Sequence, residues 1–470
     1  MNFKHYFRLA LFYSFIRYIA MGMAVVRAIY VAINLGPELL GQYALILLFI
    51  EYLNYANLGV FDSMHRDIAI NIGQRKKKAY VSRLMGNAIS FTLIIITVLF
   101  LISLIFYTNP SNFIASEFYN YYFYLVVMVV IYQLKQFLNN YLRLYDKLYH
   151  LSLIDFIQQI IMFLIILFFV KEYSIYAVFA GVLISNIFYL AAGYCFVRGV
   201  RLTLDSDLTK YLLISGLPMM LYGLFTAITM SIDRIFIAAF FDSRTPLGYY
   251  QFGYNIAHGL FIAFNSITYL FYPKWLKYFN QANKGVDSIF TSVMSQTNIT
   301  EYLLFILSMT GVTVIAGFVN IFAPEYKTSI LISQILLFGL VMNGMIFFGS
   351  TFLVSNNYQL RILPVIFFTI IFAVLTNFVL LKLGYGLYGI AVATLSSYYF
   401  FGLQIYYLLS RITNISFMKT VLQIFVRPAI FTFFTLIILW EDFSLFWMWF
   451  LFFILYLKPI INLKEKYRLS

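Results

Sequence analysis

Residues 231–250 read SIDRIFIAAFFDSRTPLGYY, an apolar helix that carries Asp233 and Arg234 and ends in a polar turn followed by Gly-x-Tyr. A stretch near the start of the chain, residues 27–43, has the same plan and reads RAIYVAINLGPELLGQY. In both, an arginine within the apolar helix is followed by glycine fourteen positions later and by tyrosine sixteen positions later. The chain is therefore predicted to consist of two similar halves that place charged groups inside a membrane.

The composition indicates the surroundings in which this chain folds. Of its 470 residues, 63% are hydrophobic and only 11% are charged, whereas about a quarter of a soluble domain is charged. Apolar runs of about 20 residues, the length that crosses a bilayer, follow one another almost without interruption. We therefore expect an all-α polytopic membrane protein. The single cysteine, Cys195, excludes an intramolecular disulfide or a thiolate metal cluster.

The apolar runs predict about 14 transmembrane helices. They lie at residues 9–33, 39–59, 84–108, 118–140, 148–170, 174–197, 211–241, 246–272, 296–322, 328–354, 361–382, 387–410, 421–440 and 444–461. The first twelve form two groups of six. We therefore predict an N-terminal lobe at 1–200, a C-terminal lobe at 201–412, and an additional helix pair with a tail at 413–470.

Basic residues are unequally distributed between the two sides of this topology. The formal net charge is +14, and most lysine and arginine residues between the spans fall on the side of the two termini. Cytoplasmic loops of membrane proteins carry this excess, so both termini are predicted to be cytoplasmic. The run RKKK at residues 75–78 fits a topology signal or, alternatively, a lipid-headgroup site. The distribution argues against a nucleic-acid partner.

The repeat extends beyond the opening stretch. Residues 176–198 read YAVFAGVLISNIFYLAAGYCFVR, and residues 388–411 read YGIAVATLSSYYFFGLQIYYLLSR. Matching the first six spans to the next six preserves their direction through the membrane. This is a parallel repeat about an axis along the membrane normal, a plan that transporters use with the substrate path between the two halves.

Four basic residues lie within predicted spans, where a charge is costly and usually faces protein or water. Arg17 and Arg27 share the first span, Lys135 lies in the fourth and Arg234 in the seventh. Together they would spread positive charge over the depth of the membrane. Alternatively, Arg27, Lys135 and Arg234 lie close enough to an interface for their long side chains to reach water.

Three acidic residues are candidates for an ion-coupled step, because a buried carboxyl group without a partner takes up a proton readily. Glu51 lies near the middle of the second span. Asp155 shares a helix face with Gln158 and Gln159, three and four residues later. Asp233 is the third candidate, and its alternative role is to neutralise a basic group that faces it.

A polar stripe marks the eighth span. Gln251, Asn255, His258 and Asn265 are spaced so that they share one face of a helix. The stripe is predicted to line a water-filled cavity or to bond to another helix. His258 is either a hydrogen-bonded neutral side chain or a proton switch.

Sequence motifs of soluble catalytic sites do not occur. The chain contains no P-loop, no HExxH, no nucleophile elbow and no pair of CxxC motifs. We therefore expect a protein that is not an enzyme and that has no catalytic residues, metal site or cofactor. Whether a proton or sodium ion drives its function stays open at this point.

Six stretches, spread over residues 20–410, carry a resemblance to a known family. They are LGPELLGQYAL at 35–45, ANLGVFDSMHRDIA at 56–69, GLPMMLYGL at 216–224, DRIFIA at 233–238, LGYYQF at 247–252 and YGIAVATLSSY at 388–398. In this order they resemble the Wzx-type O-antigen and capsule flippases of the multidrug/oligosaccharidyl-lipid/polysaccharide exporter superfamily.

The resemblance implies a MATE-like fold of two six-helix lobes related by pseudo-twofold symmetry around a central cavity. It implies transport of an undecaprenyl-pyrophosphate-linked oligosaccharide across the bacterial inner membrane. The implied partners are this polyprenyl-linked oligosaccharide, membrane lipids, and a polymerase and chain-length regulator of the same pathway. The two helices beyond the twelve-span plan are similar to those of lipid II flippases, where they help form a lipid groove, so the glycolipid carried stays open.

A pyrophosphate head suits the basic residues within the spans. A guanidinium group binds phosphate oxygens bidentately and stays charged. We therefore expect Arg17, Arg27 and Arg234 to contact the head group, with Lys135 as a fourth contact.

Two other functions stay open. A drug or metabolite antiporter of the same superfamily would have an acidic rather than a basic cavity. A membrane glycosyltransferase or polymerase would need an external catalytic domain or a pair of acids near the outer face, and the predicted outer loops are short.

Overall fold

The computed structural model describes residues 3–71, 78–108, 119–145, 147–197, 199–279, 286–356, 358–441 and 443–468. Within these helices, some side chains lie outside the description, namely those of residues 3–15, 17, 69–71, 78, 106, 108, 263, 265–274, 276–277, 286–289, 359 and 458–468. The basic run at 75–78 therefore lies outside the described side chains.

The described chain forms fourteen α-helices and contains no strand. In chain order they are α1 (Phe3–Leu53), α2 (Val60–Asn71), α3 (Lys78–Thr108), α4 (Tyr122–Leu144), α5 (Leu148–Tyr194), α6 (Ser206–Phe240), α7 (Thr245–Phe279), α8 (Val286–Phe322), α9 (Ser329–Ser355), α10 (Gln359–Lys382), α11 (Gly386–Thr413), α12 (Phe417–Ile424), α13 (Val426–Trp440) and α14 (Phe446–Arg468). Short 3₁₀ turns at Asn54–Asn57 and Pro324–Tyr326 follow α1 and α8.

Two of these helices are each bent at one residue with non-helical backbone. In α1 the bend is at Gly36, with φ 70° and ψ 171°, directly before Pro37. Glycine tolerates this conformation and proline cannot donate the next helical hydrogen bond. In α5 the bend is at Ser174, with φ 51° and ψ −130°. The bends fall where the sequence predicts one span to end and the next to begin, so each long helix contains two predicted spans.

Nine of the described helices are long and apolar enough to cross a membrane, namely α1, α3, α4, α5, α6, α8, α9, α10 and α11. The bent pair α12–α13, with 42° between its two helices, would be a tenth. Counting α1 and α5 as two crossings each, and adding α7 and α14, places a helix at every predicted span. The predicted all-α membrane fold with about 14 helices is confirmed.

The chain divides into two compact units, Met1–Ser231 and Ile232–Ser470. In the first unit, one apolar core joins α2, α3, α4 and α5 to the start of α6, and a second core joins α1, α4 and α5. In the second unit, α9 is apolar on all sides and packs against α7, α8 and α11, as expected of a fully buried helix. The predicted lobe boundaries near residues 200 and 412 stay a prediction.

Helix α6 begins against α3 in the first unit. The Asp205 carboxylate caps the helix by accepting hydrogen bonds from the backbone N–H groups of Asp207 and Leu208 at 3.0 and 3.2 Å, and it pairs with Arg83 at 2.7 Å. The Leu208 and Asp207 donors, together with Arg83, hold the pKa of Asp205 below its usual range. The cap therefore explains why the helix starts at Ser206.

The first half of α6 also packs unusually close to the segment before α2. A Cβ atom on either Gly59 or Gly216 would overlap the backbone carbonyl of the other. Nearby, the hydroxyls of Ser63 and Ser215 are hydrogen-bonded. Two backbones can approach this closely only through residues without side chains, so this part of the first unit depends on both glycines.

Candidate functional site

Arg27 lies on α1 in the first unit and faces α5. Its Nη1 atom donates a hydrogen bond to the Oε1 atom of Gln159, and its side chain is partly buried. Tyr43, the tyrosine that ends this copy of the sequence repeat, and Tyr132 of α4 interact electrostatically with Arg27. The guanidinium group is therefore surrounded by uncharged polar groups from α1, α4 and α5.

Lys135 lies on α4 and is held by two amides. Its Nζ atom donates to the Oε1 atom of Gln158 at 2.9 Å and to the Oδ1 atom of Asn186 at 3.1 Å. The two amides are also joined to each other, since Gln158 Nε2 donates to Asn186 Oδ1 at 2.9 Å. The ammonium group lies 4.6 Å from the centre of the Tyr189 ring. These three groups, all uncharged, hold the lysine in one position without neutralising its charge.

Asp155 belongs to the same region. It shares a face of α5 with Gln158 and Gln159, which bind Lys135 and Arg27 respectively. Asp155 and Arg27 both interact electrostatically with Lys135. We call this set the cationic cluster and define it by Arg27, Lys135, Asp155, Gln158, Gln159 and Asn186.

The cationic cluster has an excess of positive charge. It combines two cations, Arg27 and Lys135, with one carboxylate, Asp155, so its formal charge is one positive. Both cations donate hydrogen bonds to neutral side-chain amides, Arg27 to Gln159 and Lys135 to Gln158 and Asn186. Such a site favours an anionic ligand, because its two cations carry more charge than the single carboxylate can cancel.

In the second unit, Asp233 lies near the end of α6 with 2% of its surface exposed. Its Oδ2 atom accepts hydrogen bonds from the Tyr250 hydroxyl at 2.7 Å and from the Thr394 hydroxyl at 3.3 Å. Its Oδ1 atom lies 3.7 Å from the Nε atom of Arg234. Hydroxyl groups from α7 and α11 therefore bind this carboxylate, and the neighbouring arginine pairs with it loosely.

Arg234 stacks on the polar face of α7. Its Cζ atom lies 4.3 Å from the centre of the Tyr254 ring, and the rings of Tyr254 and His258 are 3.9 Å apart. On the same helix, Gln251 Nε2 donates to Asn255 Oδ1 at 2.8 Å. Three members of the predicted polar stripe thus lie along one face of α7, and Arg234 is placed beside that face.

The two copies of the sequence repeat place their tyrosines in similar surroundings. Tyr43 interacts electrostatically with Arg27 in the first unit. Tyr250 is hydrogen-bonded to Asp233, the neighbour of Arg234, in the second. The tyrosine that ends each copy of the repeat therefore interacts with a charged side chain of the preceding helical segment, Arg27 in one copy and Asp233 in the other.

Three further predicted residues are Glu51, Arg17 and Asn265. Glu51 lies on the last turn of α1 and is partly buried, and its side chain makes no hydrogen bond or ion pair with the described part of the chain. It interacts electrostatically with Tyr55. The side chains of Arg17 and Asn265 lie outside the described residues.

The sequence reasoning overlooked a pair of charges in the second unit. Arg427 of α13 binds Glu301 of α8 through two hydrogen bonds, Nε to Oε1 at 2.9 Å and Nη2 to Oε2 at 2.8 Å. The Glu301 side chain is fully buried. The rings of Tyr302 and Tyr456 lie 4.9 and 5.1 Å from the guanidinium carbon. Both charged residues lie within predicted spans, where each is surrounded in the sequence by apolar residues. This position was the signal that could have revealed them.

Neutral partners of the cations were also overlooked. Asn186, Tyr189 and Tyr254 each lie in an apolar helix, and a single amide or tyrosine there gives little indication of what it faces. Their helical spacing is more informative, since Tyr254 and His258 are four residues apart. Within the described residues, no three His, Cys, Asp or Glu side chains are placed to hold a metal ion.

Comparison with known proteins gives a family and a fold. A model of the polysaccharide biosynthesis protein family matches residues 8–279. No curated protein matches the chain significantly. The solved structure of the lipid II flippase MurJ, in its inward closed conformation, is similar with a TM-score of 0.70 and 17% identity, covering 97% of this chain and 99% of that one.

Two MATE transporters have related structures. A multidrug resistance MATE transporter of the MOP superfamily, in its inward-facing conformation, has a TM-score of 0.67 and 16% identity, covering 84% of this chain and 96% of that one. The MATE transporter ClbM in complex with Rb⁺ has a TM-score of 0.57 and 14% identity, covering 87% and 96%. The expected MATE-like fold and the resemblance stated from the sequence motifs are both confirmed.

Proposed function

We propose that this chain, which belongs to the family of polysaccharide biosynthesis proteins, is a flippase that moves a polyprenyl-linked oligosaccharide across the membrane. The observation that carries the proposal is the cationic cluster, in which Arg27 and Lys135 are hydrogen-bonded to amides. A pyrophosphate head cannot cross about 30 Å of hydrocarbon unaided. A polar site with excess positive charge lowers that barrier.

We propose that the cargo is an undecaprenyl-pyrophosphate-linked repeat unit of an O-antigen, capsule or similar glycan. The fold of the lipid II flippase MurJ supports a lipid-linked cargo. In this proposal Arg17, Arg27, Arg234 and Lys135 contact the pyrophosphate or glycan during alternating access. The polar stripe of Gln251, Asn255, His258 and Asn265 provides hydrogen-bonding groups for the sugar, while the lipid tail stays in the bilayer.

Transport in vesicles tests this proposal. Purified protein would be reconstituted with a fluorescent undecaprenyl-pyrophosphate-linked oligosaccharide, and a membrane-impermeant glycosidase would report which leaflet holds the glycan. We expect the glycan to reach the opposite leaflet only in vesicles that contain the protein. If the glycan stays in its original leaflet while a cationic drug is transported, the protein is an antiporter and the proposal is wrong.

We propose that Glu51 couples a proton to this transport, with Asp155 and Asp233 as the other acidic candidates. Among the three, Glu51 is favoured because its carboxylate is partly buried and has no ion pair with the described residues. Glu51→Gln is expected to slow transport several-fold and to remove its response to a pH gradient, because the amide cannot take up a proton. Asp233→Asn, which alters a carboxylate bonded to two hydroxyls, is the comparison. Normal pH-dependent transport by Glu51→Gln would exclude this role, and sodium would then be the ion to examine.

We propose that the protein resides in the bacterial inner membrane with both termini cytoplasmic. The distribution of basic residues between the helices supports this orientation. Reporter domains fused after Arg83 and after Ser470 should both behave as internal, and an external signal from either would contradict it. In this setting a polymerase and a chain-length regulator of the same pathway would use the exported glycan.

A further inference from the structure

A cavity of about 450 Å³ opens in the second unit between α8 and the α12–α13 pair. This volume lies in the range of small-molecule sites. Ser295, Asn298 and Tyr302 line its α8 wall, and Gln423 and Arg427 line the opposite wall. The α8 residues recur at helical spacing and so share one face. None of the residues proposed above to contact the cargo is among the described residues that line this cavity.

The donor in this cavity is held in place before any ligand arrives. Two hydrogen bonds of 2.9 and 2.8 Å fix Arg427 to Glu301, and the rings of Tyr302 and Tyr456 flank its guanidinium group. A guanidinium group has five N–H donors, and these two bonds use two of them. Because 21% of the Arg427 side chain is exposed and the residue lines the cavity, further donors are available to a ligand.

The acceptor is on the facing helix. Asn298 Oδ1 is buried and has no hydrogen-bond partner in the described part of the chain. A buried acceptor without a donor is unfavourable, so a ligand that supplies an O–H or N–H group would be stabilised there. Asn298 lies three residues before Glu301, on the same side of α8. The cavity therefore offers an unpaired acceptor and fixed donors close to each other.

The charge of the cavity selects among ligands. Glu301 and Arg427 cancel, so an anionic headgroup gains little net attraction, and a cationic headgroup gains equally little. The lining residues belong to α8 and to the bent α12–α13 pair, which are both candidate membrane-spanning elements.

We propose that this cavity binds a neutral, hydroxyl-bearing group, such as the sugar of a glycolipid headgroup. One hydroxyl donates to Asn298 Oδ1 and another accepts from Arg427, while Ser295 and Gln423 bond to the remaining hydroxyls. The apolar parts of Tyr302 and Leu422 pack against the sugar ring. This inference does not depend on the transported cargo, since it uses none of the residues assigned to transport.

Native mass spectrometry of the purified full-length protein tests the inference, in a detergent that contains no sugar. The probes are monogalactosyldiacylglycerol as a neutral glycolipid, lactose as a soluble sugar, and phosphatidic acid as an anionic lipid. We expect the glycolipid to bind more tightly than phosphatidic acid. Binding of lactose as well would show that the sugar alone is recognised, and binding of the glycolipid alone would show that the lipid anchor contributes. Preference for phosphatidic acid, or no binding of any probe, would overturn the inference.

Variants locate the bound probe. Asn298→Leu keeps the number and branching of the side-chain heavy atoms but removes the acceptor, and we expect glycolipid affinity to fall about tenfold. Gln423→Leu should weaken glycolipid binding by a smaller factor. Because Gln423 is exposed, this variant replaces Asn298→Leu in the test if Asn298→Leu does not fold. Asn377→Leu is the matched control, because Asn377 Oδ1 is also buried without a partner in the described chain but lies on α10, outside the cavity lining. Equal losses in Asn298→Leu and Asn377→Leu, or no loss in Asn298→Leu and Gln423→Leu, would place the probe elsewhere.

Discussion

Replacing Arg27 with alanine is expected to lower oligosaccharide transport by about ten- to a hundredfold, with the amount of inserted protein unchanged. Charge-assisted hydrogen bonds to a phosphate contribute about 1.5–3 kcal/mol, and about 1.4 kcal/mol corresponds to a factor of ten. Arg27 donates its hydrogen bond to the neutral Gln159, so its removal leaves no ion-paired carboxylate behind. Leaflet accessibility of the glycan in vesicles measures transport, and immunoblotting of membranes measures protein.

Two further variants show whether the guanidinium group itself matters. Arg27→Lys should restore transport only in part, because an ammonium group cannot form the bidentate contact. Arg411→Ala is the matched control and should transport normally, since Arg411 is exposed and its Nε atom also donates to a neutral group, the Tyr407 hydroxyl at 3.0 Å. Full activity of both Arg27→Lys and Arg27→Ala would mean that Arg27 reaches the membrane interface and has no role in binding cargo.

Arg234 offers a less direct test of whether a guanidinium group within a span binds the cargo. Only 8% of its surface is exposed, and it lies next to Asp233 and against Tyr254. Its removal would change a buried carboxylate's surroundings as well as any contact with cargo. Asp233 would keep its bonds from Tyr250 and Thr394, so Arg234→Ala should still fold, but only a comparison with Arg234→Lys separates the two effects.

The helices could be predicted from sequence because a bilayer allows few alternatives. Backbone groups in hydrocarbon must bond within their own helix, so an apolar run of about 20 residues has one reasonable conformation. The merging of two spans into α1 and into α5 was harder to predict. Gly36 before Pro37 gives a local reason for a bend, but the positive φ of Ser174 has no comparable signal in its residue type.

The candidate site was only partly predictable, because side-chain partners depend on how helices pack. The sequence placed Asp155, Gln158 and Gln159 on one face, and that face does bind two cations, Lys135 and Arg27. It gave no indication that the amides would be the hydrogen-bond partners. The position of a polar residue within a predicted span shows that it is costly to bury. Which side chain it bonds to is decided by how the helices pack, which the sequence does not show.

Replacing Arg427 with methionine is expected to destabilise the second unit by about 3–5 kcal/mol, the usual effect of removing one partner of a buried ion pair. The side chain of Glu301 is fully buried, so its charge would remain without a counterion and without access to water. The pair also joins α8 to α13, with Tyr456 of α14 stacked on the guanidinium group. We therefore expect a lower apparent melting temperature, measured by size-exclusion chromatography after heating, and earlier proteolysis of the last two helices.

Glu301→Gln should destabilise the second unit less than Arg427→Met does. The Arg427 side chain is 21% exposed, so its charge can be hydrated through the cavity.

The double variant Glu301→Gln with Arg427→Met separates two effects, the loss of the salt bridge and the burial of an unpaired charge. It contains no buried charge, so it should be more stable than Arg427→Met alone, although it lacks the same two hydrogen bonds. Arg83→Met is the matched control: its pair with Asp205 has a distance of 2.7 Å, but the side chains are 61% and 29% exposed, and such pairs contribute about 0–1 kcal/mol. If Arg83→Met destabilised as much as Arg427→Met, or if the double variant were the least stable, burial of the Glu301 charge would not be the cause. The expected order follows from desolvation, because the two ion pairs have nearly equal lengths of 2.7 and 2.8 Å, whereas the Glu301 side chain is fully buried and that of Asp205 is 29% exposed.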